Sequence, residues 1–179
     1  MTIYKGETVE TLITEPEISA RIKDLAAEIS DDYGEKPVTL IATLKGSLYF
    51  TADLSRKLNL LQEIEFIKAS SYNKSTESSG EVKFDYTPGE SLKGKHVLII
   101  EDIIDTGFTV KSLHAFVLST GAASVKICTL LDKPARREVD VKPDYCGFTV
   151  PDRFVVGYGL DYAEKYRNLP YIGVLSFDK

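Results

Sequence analysis

Three carboxylates, Glu101, Asp102 and Asp105, follow the apolar run Val97-Leu-Ile-Ile100 and lead into Thr106-Gly-Phe-Thr109. The run has the character of a parallel strand buried on both faces. Carboxylates at the end of such a strand cost free energy unless they are hydrated or have cations or donors as partners. In an open parallel sheet, ligands bind beyond the carboxyl ends of the strands, which puts residues 101–109 at that edge. The amides of Thr106 to Thr109 would point outward at the start of the next helix, where the dipole favours an anion and both threonine hydroxyls can donate. A phosphate monoester suits this cradle. Glu101 and Asp102 would repel a phosphate, but they can accept hydrogen bonds from sugar hydroxyls or bind a magnesium ion. Together the residues form a holder for a ribose 5-phosphate. The patterns G-x-x-x-x-G-K-[ST] and G-x-G-x-x-G are absent, which argues against a kinase-like P-loop and a dinucleotide fold.

The elements that must position these residues can be followed along the chain. Thr14-Glu-Pro-Glu17 has the form of a capping box, and Ile18, Ile22, Leu25, Ala26 and Ile29 then recur at helical spacing. Asp31-Asp-Tyr-Gly34 closes that helix. A strand over 38–44 runs into Lys45-Gly46-Ser47, and a helix over 47–58 and a strand over 64–69 follow. The serine-rich stretch 70–80 lacks periodicity and is expected to be a mobile loop, with a strand returning over 82–86. After the acidic strand come a helix over 109–120, stopped by Gly121, and a buried strand over 124–131. Alternating strands and helices predict an α/β fold with a mostly parallel central sheet flanked by helices, Rossmann-like in plan. Pro143, Pro151 and Pro170 break the rest into short strands. That predicts a small hood built from the N-terminal segment and about 134–179 on a single domain spanning 1–179.

Length and charge narrow the function classes. The chain has 179 residues, 43% of them hydrophobic, enough for one well-buried core. A net charge of -5 disfavours general adhesion to nucleic acid or to an anionic membrane, so neither is expected as a partner. Cys128 and Cys146 lie in apolar sequence without metal-ligand spacing, which fits a reducing compartment. His96 and His114 lack a third ligand at useful spacing, so zinc is not expected. No apolar run approaches the ~18 residues of a membrane span, and no basic-then-apolar leader opens the chain. A cytoplasmic location is expected.

The block from Val97 to Thr109 resembles the phosphoribosyl-diphosphate motif of the type I phosphoribosyltransferases. Leu44-Lys-Gly-Ser47, Ser71-Tyr72, Lys133, Lys142-Pro-Asp144 and the stretch from Pro151 to Tyr162 resemble the hypoxanthine-guanine branch in order and spacing. The resemblance implies purine salvage: transfer of 5-phosphoribosyl from 5-phosphoribosyl 1-diphosphate to hypoxanthine, with guanine as a second base, giving IMP or GMP and pyrophosphate. It implies Mg²⁺ as cofactor and a homodimer or homotetramer. Carried over by position, Glu101 and Asp102 meet the ribose hydroxyls or the metal, and Asp161 is the further metal carboxylate. Asp105 faces the imidazole nitrogen of the purine as general acid or base. Thr106, Gly107, Phe108 and Thr109 take the 5′-phosphate. Phe108 stands where mammalian members carry lysine and bacterial ones a bulky apolar residue. Lys133 donates to the six-position oxygen, Phe154 stacks on the base and the Val155 main chain meets its edge. Lys45 and Gly46 form the pyrophosphate loop, often with a cis peptide before the lysine, and Arg167 is a distal pyrophosphate ligand. Ser71 and Tyr72 belong to a closing loop.

Blander readings exist for each residue. Asp105 could be a helix N-cap, Lys133 a solvated lysine before Pro134, Phe154 a core residue, and Asp161 and Arg167 surface groups. Two other functions share the resemblance. One is a nucleotide- and RNA-binding regulator of this fold, which would need a basic face. The other is a xanthine-specific enzyme whose hood alone differs.

Overall fold

A computed structural model describes residues 6–71, 82–85 and 91–177. The strands are β1 (Glu7–Ile13), β2 (Val38–Leu44), β3 (Gln62–Ser71), β4 (Val82–Asp85), β5 (His96–Ile104), β6 (Ser124–Asp132), β7 (Tyr145–Thr149), β8 (Val155–Val156) and β9 (Ile172–Phe177). Helices α1 (Glu15–Tyr33), α2 (Leu48–Ser55) and α3 (Phe108–Ser119) lie between them. Six strands make the main sheet in the order β4-β3-β2-β5-β6-β7, parallel throughout except for β4 at one edge. The α/β architecture expected from the alternating pattern is therefore present.

β2 and β5 lie side by side at the centre, and their composition explains why. Val38 to Thr43 are all buried, as are Val97 to Glu101, so each strand offers apolar side chains to both faces of the sheet. On one face α1 packs Ile18, Ile22, Leu25, Ala26 and Ile29 against Leu40, Ala42, Leu98 and Ile100. On the other, Leu113 and Val117 of α3 meet Ile41, Val97 and Ile99. Each such aliphatic side chain contributes roughly 1.5–3 kcal/mol when fully buried. The start of α1 is fixed by its capping box, with Thr14 N–H donating to the Glu17 carboxylate at 2.8 Å. Its end falls at Gly34, where φ is 60° and the amide donates to Ser30 O at 2.9 Å.

The chain passes from β2 to β3 on one side, then returns to place β5 on the other side of β2. The carboxyl ends of β2 and β5 therefore flank the topological switch point, where this class of sheet opens a crevice.

A second, antiparallel sheet, β1-β9-β8, joins the two ends of the chain and forms the hood. Tyr158 fastens it to the core, since its hydroxyl donates to Asp53 Oδ2 on α2 at 2.5 Å. The hood is smaller than expected. Residues 145–149, expected within it, form β7, parallel to β6 at the edge of the main sheet. Pro143 and Pro151 bracket that strand, and its crossover carries only a 3-10 turn, Pro134–Arg136, instead of a helix, so the usual crossover pattern is missing. Arg21 on α1 covers the open edge, donating from Nε to Gly147 O at 3.0 Å and from Nη2 to Cys146 O at 2.7 Å; such cover blocks pairing with another chain. β5 also runs four residues past Ile100, so Glu101 and Asp102 lie within the strand and not after it.

Candidate active site

Glu101 is 7% exposed at the crevice end of β5. Its Oε1 accepts a hydrogen bond from Thr43 Oγ1 on β2 at 2.7 Å, while Oε2 is buried without a partner among the described residues. Asp102 Oδ1 accepts from the Ile103 amide at 2.9 Å. Burial pushes the Glu101 carboxyl well above its usual range, and the neighbouring Asp102 charge adds to the effect. Asp102 is raised for the same first reason, desolvation. Neither carboxylate forms an ion pair with Lys or Arg among the described residues. The pair is therefore an unneutralised acidic ledge that would gain from a cation or from hydroxyl donors.

The turn after β2 is pressed against this ledge. A Cβ on Gly46 would lie 1.6 Å from Asp102 Oδ2, so only glycine fits while Asp102 keeps its position. The Leu44–Lys45 peptide is cis. From the hood side, a Cβ on Gly159 would lie 1.9 Å from Gly46 O, and Gly159 has φ 104°. The Lys45-Gly46 loop is thus held between β5 and the hood. Arg167 joins the same cluster: Nη1 donates to Gly159 O at 2.7 Å, Nη2 lies 2.8 Å from Asp161 Oδ1, and Nε is buried without a partner among the described residues. Glu164 Oε2 lies 3.0 Å from Lys45 Nζ and 3.3 Å from Arg167 Nη2. These cations hold the Glu164 carboxyl below its ordinary value.

Beyond β5 the chain turns at Gly107, whose φ of 91° is left-handed and whose Cβ would meet Val141 Cγ1 at 2.7 Å. Gly107, not Asp105, is the N-cap of α3. The first helical bond runs from the Lys111 amide to Gly107 O at 3.0 Å, so the amides of Phe108, Thr109 and Val110 have no intrahelical acceptor. A cavity of about 120 Å³ opens there, lined by Glu101, Asp105, Thr106, Gly107 and Thr109 among others. Its donors and dipole suit an anion. Phe108 is 37% exposed at the first position of the helix.

Among the described residues Asp105 is the one member of the acidic group with a cationic partner, Arg136 Nε at 2.9 Å from Oδ1. Arg136 also reaches toward Asp152 of the hood, 3.6 Å away. Lys133, far from being solvated, is 6% exposed; its amide donates to Ile104 O at 3.0 Å and its Nζ to Arg153 O at 2.7 Å. Phe154 is not a core residue either. It is 52% exposed, edge-on to Tyr162 at 5.7 Å between ring centres, while Val155 is buried in β8. Lys133, Asp105 and the 152–155 loop therefore meet beside the phosphate-type cavity. Ser71 ends β3; Tyr72 and most of the 70–80 segment lie outside the described residues.

The sequence reading missed Thr43, Arg136 and Glu164. Thr43 had a faint signal, a hydroxyl in an otherwise aliphatic strand; the other two are charged residues in charged surroundings, with nothing in the spacing to mark them.

An α/β sheet with a carboxylate ledge and an anion cradle at its switch point has the acceptors and donors that a phosphorylated sugar needs. Comparison with known proteins makes the class specific. Residues 8–163 match the family described as the phosphoribosyl transferase domain. The chain is 50% identical over 174 residues to the hypoxanthine-guanine phosphoribosyltransferase of Bacillus subtilis (strain 168), covering 97% of each chain. It is 46% identical over 178 residues to the hypoxanthine phosphoribosyltransferase of Haemophilus influenzae, covering 98% of this chain and 99% of the other. A crystal structure of a hypoxanthine phosphoribosyltransferase from Staphylococcus aureus superposes with a TM-score of 0.89 at 48% identity, covering 93% of this chain and 91% of that one. The protein belongs to the phosphoribosyltransferase family.

Proposed function

We propose that the protein transfers 5-phosphoribosyl from 5-phosphoribosyl 1-diphosphate to hypoxanthine, and to guanine as well, in purine salvage. One observation carries the reading. A buried carboxylate with an oxygen to spare and the anion cradle just after it line one cavity, and the buried lysine whose amide donates to Ile104 of that lining also holds the loop bearing Phe154.

In this reading the bond from ribose C1 to the diphosphate oxygen breaks, the bond from C1 to the purine nitrogen forms, and the imidazole proton leaves the base. Asp105 takes that proton; Arg136 lies against one of its carboxylate oxygens and leaves the other for the base. The amides and hydroxyls from Thr106 to Thr109 hold the 5′-phosphate. Glu101 and Asp102 accept from the ribose hydroxyls and stabilise the positive charge that develops at the sugar. Lys133 retains donors beyond the one given to Arg153 O and offers one to the six-position oxygen, which adenine lacks. Phe154 has an exposed ring on which the base can stack. Lys45 and Arg167 grip the leaving diphosphate.

Magnesium belongs to the same reading. The unpartnered Glu101 Oε2 suits a hard cation. No three His, Cys, Asp or Glu side chains stand at metal-ligand spacing among the described residues, so Glu101 and Asp102 on one side and Asp161 on the other would each supply only part of a coordination sphere, with substrate oxygens and water supplying the rest. When bound, it would neutralise the diphosphate as that group departs. A homodimer or homotetramer is part of the proposal too, with exposed Tyr49, Ile64 and Phe66 as apolar surface for it. So is a cytoplasmic location; no described helix is long and apolar enough to cross a membrane.

The test is pyrophosphate release with hypoxanthine, guanine, xanthine and adenine in turn, with magnesium present. Turnover with hypoxanthine and guanine, and little with adenine, is expected. Xanthine alone as substrate would replace the proposal with the xanthine reading, and no turnover with any purine would replace it with the regulator.

A further inference from the structure

We infer that Glu164 is an internal competitor for the diphosphate, pairing with its two cations before substrate arrives and so setting substrate affinity and the ease of pyrophosphate release. This rests on reading Lys45 and Arg167 as the diphosphate ligands. A single oxygen, Glu164 Oε2, stands 3.0 Å from Lys45 Nζ and 3.3 Å from Arg167 Nη2, as one phosphate oxygen would between the same groups. The backbone aims it there. Ala163 and Glu164 have φ of 50° and 64°, the Glu164 amide donates to Asp161 Oδ2 at 2.9 Å, and Tyr162 and Lys165 close the turn by pairing with each other.

Charge and exposure give the contact its meaning. Lys45 and Arg167 are balanced by Asp161 and Glu164, so the cluster offers an arriving diphosphate no net positive charge. The side chains of Lys45 and Glu164 are 59% and 65% exposed, and ion pairs so open are weak and readily exchanged. A substrate can displace the carboxylate, and the carboxylate can return as pyrophosphate leaves. Arg167 Nε has no acceptor among the described residues, so one donor of its guanidinium stays unused before substrate arrives.

The experiment is calorimetric titration of inorganic pyrophosphate with magnesium into the wild type, Glu164→Gln, Lys45→Met and the double variant, alongside steady-state kinetics. Glu164→Gln should bind pyrophosphate about three- to ten-fold more tightly, the equivalent of losing two exposed ion pairs. Its KM for 5-phosphoribosyl 1-diphosphate should fall, its kcat should not rise, and the gain should shrink in the Lys45→Met background and at high salt. A merely structural glutamate would not tighten binding when removed. Equal or weaker binding by Glu164→Gln overturns the inference and leaves the proposed function standing. Failure of the wild type to bind pyrophosphate, or to turn over any purine, overturns the diphosphate reading and the inference with it.

Discussion

Gly46→Ala isolates the close approach of the Lys45-Gly46 loop to the acidic ledge. Gly46 has no positive φ, so alanine meets no backbone penalty there, and the added methyl is the whole perturbation. That methyl would stand 1.6 Å from Asp102 Oδ2, and ordinary contact begins at 3.4 Å, so one side must retreat by about 1.8 Å. Asp102 cannot rotate away freely, because its other oxygen accepts from the Ile103 amide at 2.9 Å. On the far side, Gly159 is already packed against Gly46 O. A misplacement of about 1 Å can cost roughly 10²-fold in rate, so kcat/KM for 5-phosphoribosyl 1-diphosphate should fall about 10²-fold or more. Thermal stability should fall too, by roughly the 1–3 kcal/mol typical of overpacking, too little to unfold the protein at assay temperature. The assay is initial rate at saturating hypoxanthine, paired with a melting curve. Activity within three-fold of wild type, estimated against the ~10²-fold expectation, would refute the steric argument.

Two further perturbations test other parts of the site. Asp105→Asn should lower kcat by about 10²–10⁴-fold, the usual worth of a general acid or base, while calorimetry shows affinity for 5-phosphoribosyl 1-diphosphate preserved; an unchanged rate would remove Asp105 from its role. Glu101→Gln makes a prediction about stability against pH. Burial raises the folded-state pKa of Glu101 well above its unfolded value, so the native state holds the proton more tightly. Its contribution to stability is complete below the unfolded pKa and is lost as pH rises through the folded one. In urea melts without metal, Glu101→Gln should therefore gain on wild type at pH 8 and lose that advantage at pH 4, and a gain that grows toward acid would show the sign to be wrong.

Much of the fold was legible because local pattern and tertiary demand coincide. α1 carries a capping box, a helical stripe of Ile and Leu and a glycine at its end, and each signal is used. β2 and β5 are unbroken apolar runs because both their faces are covered, so their place at the sheet centre follows from composition. β7 was expected as a short strand between prolines, but its place in the main sheet was hidden, because a strand reached without a crossover helix carries no sign of which sheet it joins. The acidic ledge and the phosphate-type turn were visible from cost alone, since carboxylates at the end of a buried strand demand a reason. Lys133 and Phe154 were placed only through resemblance. Burial of the one and exposure of the other depend on the 151–155 loop, which no periodicity describes. Glu164 and Arg136 act through partners distant in sequence or through an ordinary-looking turn, and charge pairing of that kind is settled by the fold.

In the proposed function Glu101 and Asp102 hold the sugar of the diphosphate substrate. Calorimetric titration of 5-phosphoribosyl 1-diphosphate with magnesium into wild type and into the Glu101→Gln, Asp102→Asn double variant measures this directly. Loss of two charge-assisted interactions, roughly 1.5–3 kcal/mol each, predicts at least about 10²-fold weaker binding by a variant that still folds. Unchanged affinity in a folded double variant would contradict the claim.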